Sequence, residues 1–174
     1  TWHNSVWFLG CTPKHSFILW LAIWNKLSTK FRVLYWGKLD DPTCSLCHLA
    51  CETADHLFFD CIFARRIWRM GFNKCHIKHD LFHLEDIISY LTSRRLKGNL
   101  KAFILRNLLA ASVYFIWQER NQRIFNNKFQ TEEAISSNIF RHTKLKLACC
   151  NRKFAPSPLN KDICNTWEQN SLLV

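Results

Sequence analysis

"CSLCHLACETADHLFFDC", residues 44–61, puts four cysteines and two histidines into one short stretch. A Cys-x2-Cys turn aims two thiolates at one point, because the turn brings both sulfurs to the same side; here the pair is Cys44 and Cys47. His56 and Cys61 supply two further donors, giving C-x2-C-x8-H-x4-C. Three soft sulfurs and one imidazole form a structural Zn2+ set. With every corner filled by protein, such an ion has no place for water and neither generates hydroxide nor polarises a substrate. It holds the chain together. Cys51 and His48 lie inside the loop as alternative donors, Cys51 the more credible because His48 directly follows Cys47. A further alternative leaves the cysteines metal-free, buried as small apolar residues. Cys75, His79 and His83, spaced by fours, form a weaker second cluster, with plain surface histidines as the competing reading.

The energetics make the first cluster important. Zinc binding by small Cys/His modules contributes about 10–16 kcal/mol at neutral pH, whereas whole domains are stable by only about 5–15 kcal/mol. The local module is therefore expected to unfold without its metal.

Outward from the cluster the chain reads as helices. In "TPKHSFILWLAIWNKL", Thr12 suits the cap and Pro13 the first helical position, where its missing N–H costs nothing. Phe17, Leu21, Trp24 and Leu27 fall at helical spacing on one face. "STKFRVLYWG" follows as a short helix between a Thr29 cap and Gly37 just past its end. "KLDDPT" is a turn into the cluster. "IFARRIWRMGF" is helical, with Ile62, Ile67 or Trp68 inward and Arg65, Arg66 and Arg69 outward. After a polar break, "HLEDIISYLTSRR" uses Leu84, Ile87, Ile88 and Leu91.

The longest helical pattern, residues 99–125, offers Leu100, Phe103, Ile104, Leu108, Ala111 and Phe115 as a buried stripe. A further helix starts at a Thr131 cap, where Glu132 and Glu133 face the positive helix end. The expected class is mostly α: a small knuckle-like (treble) zinc module embedded among helices, followed by a helical extension. Residues 1–72 form the zinc domain, 73–150 the extension and 151–174 a basic, mobile tail.

Composition narrows the function. Of the 24 Lys+Arg and 13 Asp+Glu, residues 1–60 hold five of each, so the whole formal charge of +11 lies in residues 61–174. Such a surplus favours a polyanionic partner, nucleic acid before membrane, through counterion release; a merely solvated basic surface is the plainer alternative. Nine cysteines is an odd count, and no secretory leader opens the sequence, which favours a reducing, intracellular setting over a disulfide framework. The apolar run "NLLAASVYFIWQ", residues 107–118, falls short of the roughly 20 residues a bilayer requires, so no membrane partner is expected.

The sequence also resembles a family. "VWFLGCTPKHSFILWLAIWNKLSTKFRVLYWG", "CSLCHLACETADHLFFDCIFARRIW" and, further on, "FIWQERNQRIF" are similar in order and content to the zinc-binding domain that follows the polymerase in reverse transcriptases of plant non-LTR (LINE-type) retrotransposons. The resemblance is dense from Trp7 to Trp68 and sparse to about Phe125. It implies zinc ligands at Cys44, Cys47, His56 and Cys61, in agreement with the spacing. It does not bring an enzyme: the adjacent acidic pair in "KLDDP" lacks the aromatic-x-Asp-Asp turn of a polymerase, and no spaced carboxylates for a two-metal nuclease follow residue 125.

The leading expectation is a non-catalytic, zinc-stabilised module binding RNA or single-stranded DNA, with no small-molecule substrate. Arg65, Arg66, Arg69, Arg94, Arg95 and Lys97 would neutralise phosphates. Phe58 or Phe59 could stack bases, a core role being their competing use. The alternative is a protein-interaction scaffold in which zinc only fixes a helical surface. A nuclear location is expected only from the presumed ligand.

Overall fold

The computed structural model describes residues 3–77, 83–93, 99–150, 153–169 and 172–173. Among these, eight α-helices and one π-helical turn are present, with isolated β-bridges and no strands. The helices are α1 (His3–Val6), α2 (Pro13–Ile23), α3 (Lys30–Tyr35), α4 (Ile62–Lys74), α5 (Leu84–Thr92), α6 (Leu100–Asn126), α7 (Glu132–Ala148) and α8 (Pro158–Trp167); the π-turn spans His56–Asp60. The expectation of a mostly helical protein with a small Cys/His module agrees with this architecture.

α6 is the axis of the fold. Asn99 caps it, its side-chain carbonyl accepting the Ala102 N–H at 2.9 Å, and Asn127 ends it in the left-handed conformation. Its residues from Leu100 to Val113 are buried on almost every side, Arg106 excepted, because α2, α4 and α7 pack around it. Even Lys101 is drawn in, its ammonium donating to the His76 carbonyl at 3.2 Å. By length and composition this helix could cross a membrane, further than the shorter run in the sequence suggests. However, 78% of its most apolar window is buried inside the protein, as in a core helix.

Two parts of the chain go further than the sequence reading. The apolar spacing read in α2 is split: Phe17 and Trp24 are exposed, Leu21 is half-buried against the core and Leu27 beyond the helix is buried, while α2 itself buries His15, Ser16, Leu19 and Ala22. Ser16 is tolerated there because its hydroxyl donates to the Val6 carbonyl at 2.8 Å. The tail read as mobile contains α8, started by Ser157 accepting the Asn160 N–H. α8 buries Ile163, Cys164 and Trp167, and the Trp167 ring meets Phe140 of α7 edge-on at 5.9 Å.

One hydrophobic core runs through all of this, from Val6 and Leu19 through Phe58 and Trp68 to Ile104, Ile139 and Trp167. It crosses the sequence boundaries drawn near residues 72 and 150 without interruption.

Candidate metal centre

The loop before the first cysteine folds back on itself. Thr43 and Cys51 form an antiparallel bridge, the Cys44 N–H donates to the Ala50 carbonyl at 2.8 Å, and the Glu52 N–H to Pro42 at 2.8 Å. Between them the chain turns through Ser45, Leu46 and Cys47, and His48 takes a positive φ of 56°. This knuckle turns the Cys44 and Cys47 sulfurs to one side.

The other two donors come from the π-turn. An α-helical turn would place residues five apart about 140° round the axis. Here the Cys61 N–H reaches back to the His56 carbonyl at 2.7 Å, an i→i+5 bond that widens the turn by one residue. His56 and Cys61 are thereby brought over the same point. Thr53 fixes the start, its hydroxyl accepting the His56 N–H at 3.0 Å. Cys61 then caps α4, its carbonyl accepting the Arg65 N–H at 2.8 Å.

The donor atoms of Cys44, Cys47, His56 and Cys61 all lie within 4.8 Å of one another. Cys44 and Cys61 Sγ are 4.0 Å apart, and Cys47 Sγ is 3.2 Å from His56 Nε2. A tetrahedral zinc with bonds of about 2.0–2.3 Å separates its ligand atoms by roughly 3.3–3.8 Å, so the set fits. The surroundings fit as well. Amides of Cys47 and Leu46 point at the Cys44 sulfur, and those of Ala64 and Phe63 at the Cys61 sulfur, all favouring thiolate. The hydrogen bond from Cys61 holds the Cys44 thiol down at about 5 and pushes the Cys61 thiol up. Cys44 and Cys61 are buried, while Cys47 and His56 are half-buried, so the cluster is partly open to solvent.

Cys51 and His48, the alternative donors, are not in the convergent set. Of the weaker second cluster, Cys75 is buried, His83 is exposed and His79 lies outside the described residues.

A feature missed from sequence reasoning locks the module to α6. The Glu52 carboxylate is fully buried beside the knuckle and accepts four N–H bonds: from Lys30 at 2.9 Å, Ser45 at 3.1 Å, and Arg120 Nε and Nη2 at 3.0 and 2.8 Å. Arg120 stacks over Trp117 and also donates to the Ser28 carbonyl at 3.1 Å. One turn on, Arg123 donates to the Leu46 carbonyl at 3.0 Å, inside the Cys-x2-Cys turn, and to Glu119 at 2.8 Å. The signal was present: Glu52 and the Glu119–Arg120–Asn121–Arg123 series lie in the stretches "CETADHLF" and "WQERNQRIF" that carry the family resemblance.

The expected phosphate-binding residues are placed less favourably. Arg65 pairs with Asp60 at 3.1 Å and Arg66 with Glu132 at 2.9 Å, while Arg69 is exposed with no ion pair among the described residues. Arg94, Arg95 and Lys97 lie outside the described residues. Phe58 and Phe59 are buried, not stacking surfaces: Phe59 stacks on Trp68 at 5.8 Å, and the Trp68 indole donates to the Phe58 carbonyl at 2.6 Å.

Comparison with curated proteins and with solved structures gives no match. Residues 1–68, which hold all four convergent donors, match the family described as zinc-binding in reverse transcriptase.

Proposed function

We propose that the chain is a non-catalytic nucleic-acid-binding module whose zinc is structural, the counterpart of the segment following the polymerase in a plant non-LTR retrotransposon reverse transcriptase. The zinc would be held by Cys44, Cys47, His56 and Cys61, and bound there it supplies a crosslink and no reaction chemistry. Four protein donors converging on one point is the observation that carries this role. The net charge of +11 supports a polyanionic partner, RNA or single-stranded DNA, and an intracellular, nuclear setting follows from that partner.

The test is fluorescence anisotropy of a labelled single-stranded oligonucleotide with the zinc-loaded chain. Binding at about 50 mM salt that weakens steeply as salt rises is the expected outcome; absence of binding there removes the nucleic-acid reading. The scaffold alternative draws on a separate observation. An apolar hollow of about 340 Å³ lies between α3 and the end of α6, lined by Val33, Leu39, Trp117, Ile124 and Phe125. Salt-insensitive association with a protein and none with nucleic acid would favour it.

A further inference from the structure

α3 is built from Lys-Phe-Arg-Val-Leu-Tyr, yet none of its residues is buried. It is held by its backbone, the Lys30 and Phe31 N–H groups donating to the Glu52 side chain and carbonyl at 2.9 and 3.2 Å. Beside it the Arg32 guanidinium donates to the Asn25 carbonyl, which docks α3 against the C-terminal end of α2. The outward stripe of α2 ends at that same place. Phe17, Trp20 and Trp24 fall at i, i+3 and i+7 on one helix face, and Phe17 stacks on Trp20 at 5.9 Å. Trp36 follows α3 with Arg32 over its ring at 5.2 Å. The relative exposures are 49% for Phe17, 54% for Trp24, 86% for Tyr35 and 47% for Trp36.

Charge accompanies the rings. The balance of five basic and five acidic residues in positions 1–60 conceals a segregation: all five Lys and Arg precede Asp40, and all five acids follow Lys38. Lys26 and Lys38 are exposed two residues after Trp24 and Trp36 in the chain, and Arg32 keeps N–H groups beyond the one given to Asn25. Acids stand nearby: Asp41 pairs with Lys30 at 3.9 Å, Asp40 is exposed two residues after Lys38, and Asp55 and Glu85 line a groove of about 520 Å³ that Phe31 borders. Phe31 lies about 100° round α3 from Arg32, so a backbone avoiding the carboxylates of that groove runs along the Arg32–Trp36 side.

Exposed rings interleaved with cations are what a single strand needs: flat apolar faces for bases and positive charge for phosphates. We infer that single-stranded nucleic acid binds across the α2–α3 face, with bases stacked on Phe17, Trp24 and Trp36 and phosphates at Lys26, Arg32 and Lys38. The α2 stripe from Phe17 to Trp24 spans about 10 Å, the length of roughly three stacked nucleotides at about 3.4 Å each. The site deepens the nucleic-acid reading above and rests on it; it moves the contact surface away from the arginines of α4.

Anisotropy titrations with a labelled 12-nucleotide RNA and its DNA equivalent test it, using the full zinc-loaded chain with zinc content as the check on folding. Trp24→Ala and Trp36→Ala are each expected to weaken binding by roughly 5- to 100-fold, with Trp36→Phe retaining most of it. Lys26→Glu with Lys38→Glu should lower the slope of log affinity against log salt by about 1.4. Wild-type binding that neither the ring nor the charge variants change would overturn this site and leave the nucleic-acid reading standing. No binding by the wild-type chain overturns both and leaves the face to a protein partner.

Discussion

His48 sits in the turn between two candidate ligands with a positive φ, where a side chain other than glycine costs about 1–2 kcal/mol. Its contribution is to the bend, not to the metal. His48→Gly is therefore expected to keep one zinc per chain and to gain a few tenths to about 1 kcal/mol in chemical denaturation, the gain being reduced by glycine's larger unfolded-state entropy. Cys51→Ser, across the bridge from Thr43, should likewise retain the metal, whereas Cys44→Ser or His56→Ala should lose it; native mass spectrometry reads all four. Glu52 and Arg120 make the opposite case, two charges removed from water and sustained by each other. Arg120→Ala leaves the carboxylate buried among amides alone and should cost about 3–5 kcal/mol, while replacing both residues with apolar ones should recover much of that. The four donors were legible because their chemistry and spacing mark them. The ion pair was not, since no periodicity connects positions 68 residues apart.

At the scale of elements, sequence periodicity located α2, α4, α5, α6 and α7 because each has a repeating apolar face and most have a recognisable start. It did not resolve which side of α2 is covered, because the helix is apolar nearly all round: Leu19 and Ala22 are buried on one side, Phe17 and Trp24 are exposed on the other, and Trp20 packs partly against the core. Periodicity finds a stripe, but the neighbouring helix decides which stripe is covered, and α6 accepts the side with the smaller residues. Close approach governs the α4–α6 contact too. A Cβ on Gly71 would stand 3.0 Å from Leu108 Cδ2. Gly71→Ala is expected to destabilise despite alanine's helix preference of about 1 kcal/mol, because overpacking costs about 1–3 kcal/mol. Adding Leu108→Val should give a double variant less destabilised than the sum, measured as a coupling in denaturant unfolding.

For the molecule as a whole, the seam between α2, α6 and α7 carries a pH dependence. His15 is buried against Tyr114, Phe115 and His142. Burial first, then the charges of His142, Lys14 and Lys146, lower its pKa from 6.5 to about 4. Below about 6.5 the unfolded chain takes up a proton that the folded chain refuses until about 4. Stability present above 6.5 is therefore lost as pH falls through that window. Zinc ligands also protonate on acidification, so the measurement is the difference in thermal midpoint between His15→Phe and wild type; it should shift in the variant's favour from pH 7 to pH 4.5. Neither this seam nor α8 was legible from sequence, because both depend on partners distant in the chain.

The clasp of Arg120 and Arg123 on the knuckle reaches beyond stability. The recognisable domain stops at residue 68, but the groups that neutralise its buried carboxylate and brace its cysteine turn belong to a helix some fifty residues later. A fragment cut at the edge of the recognised motif would be an amputation. Such a piece would keep the four ligands and lose the two arginines that brace them.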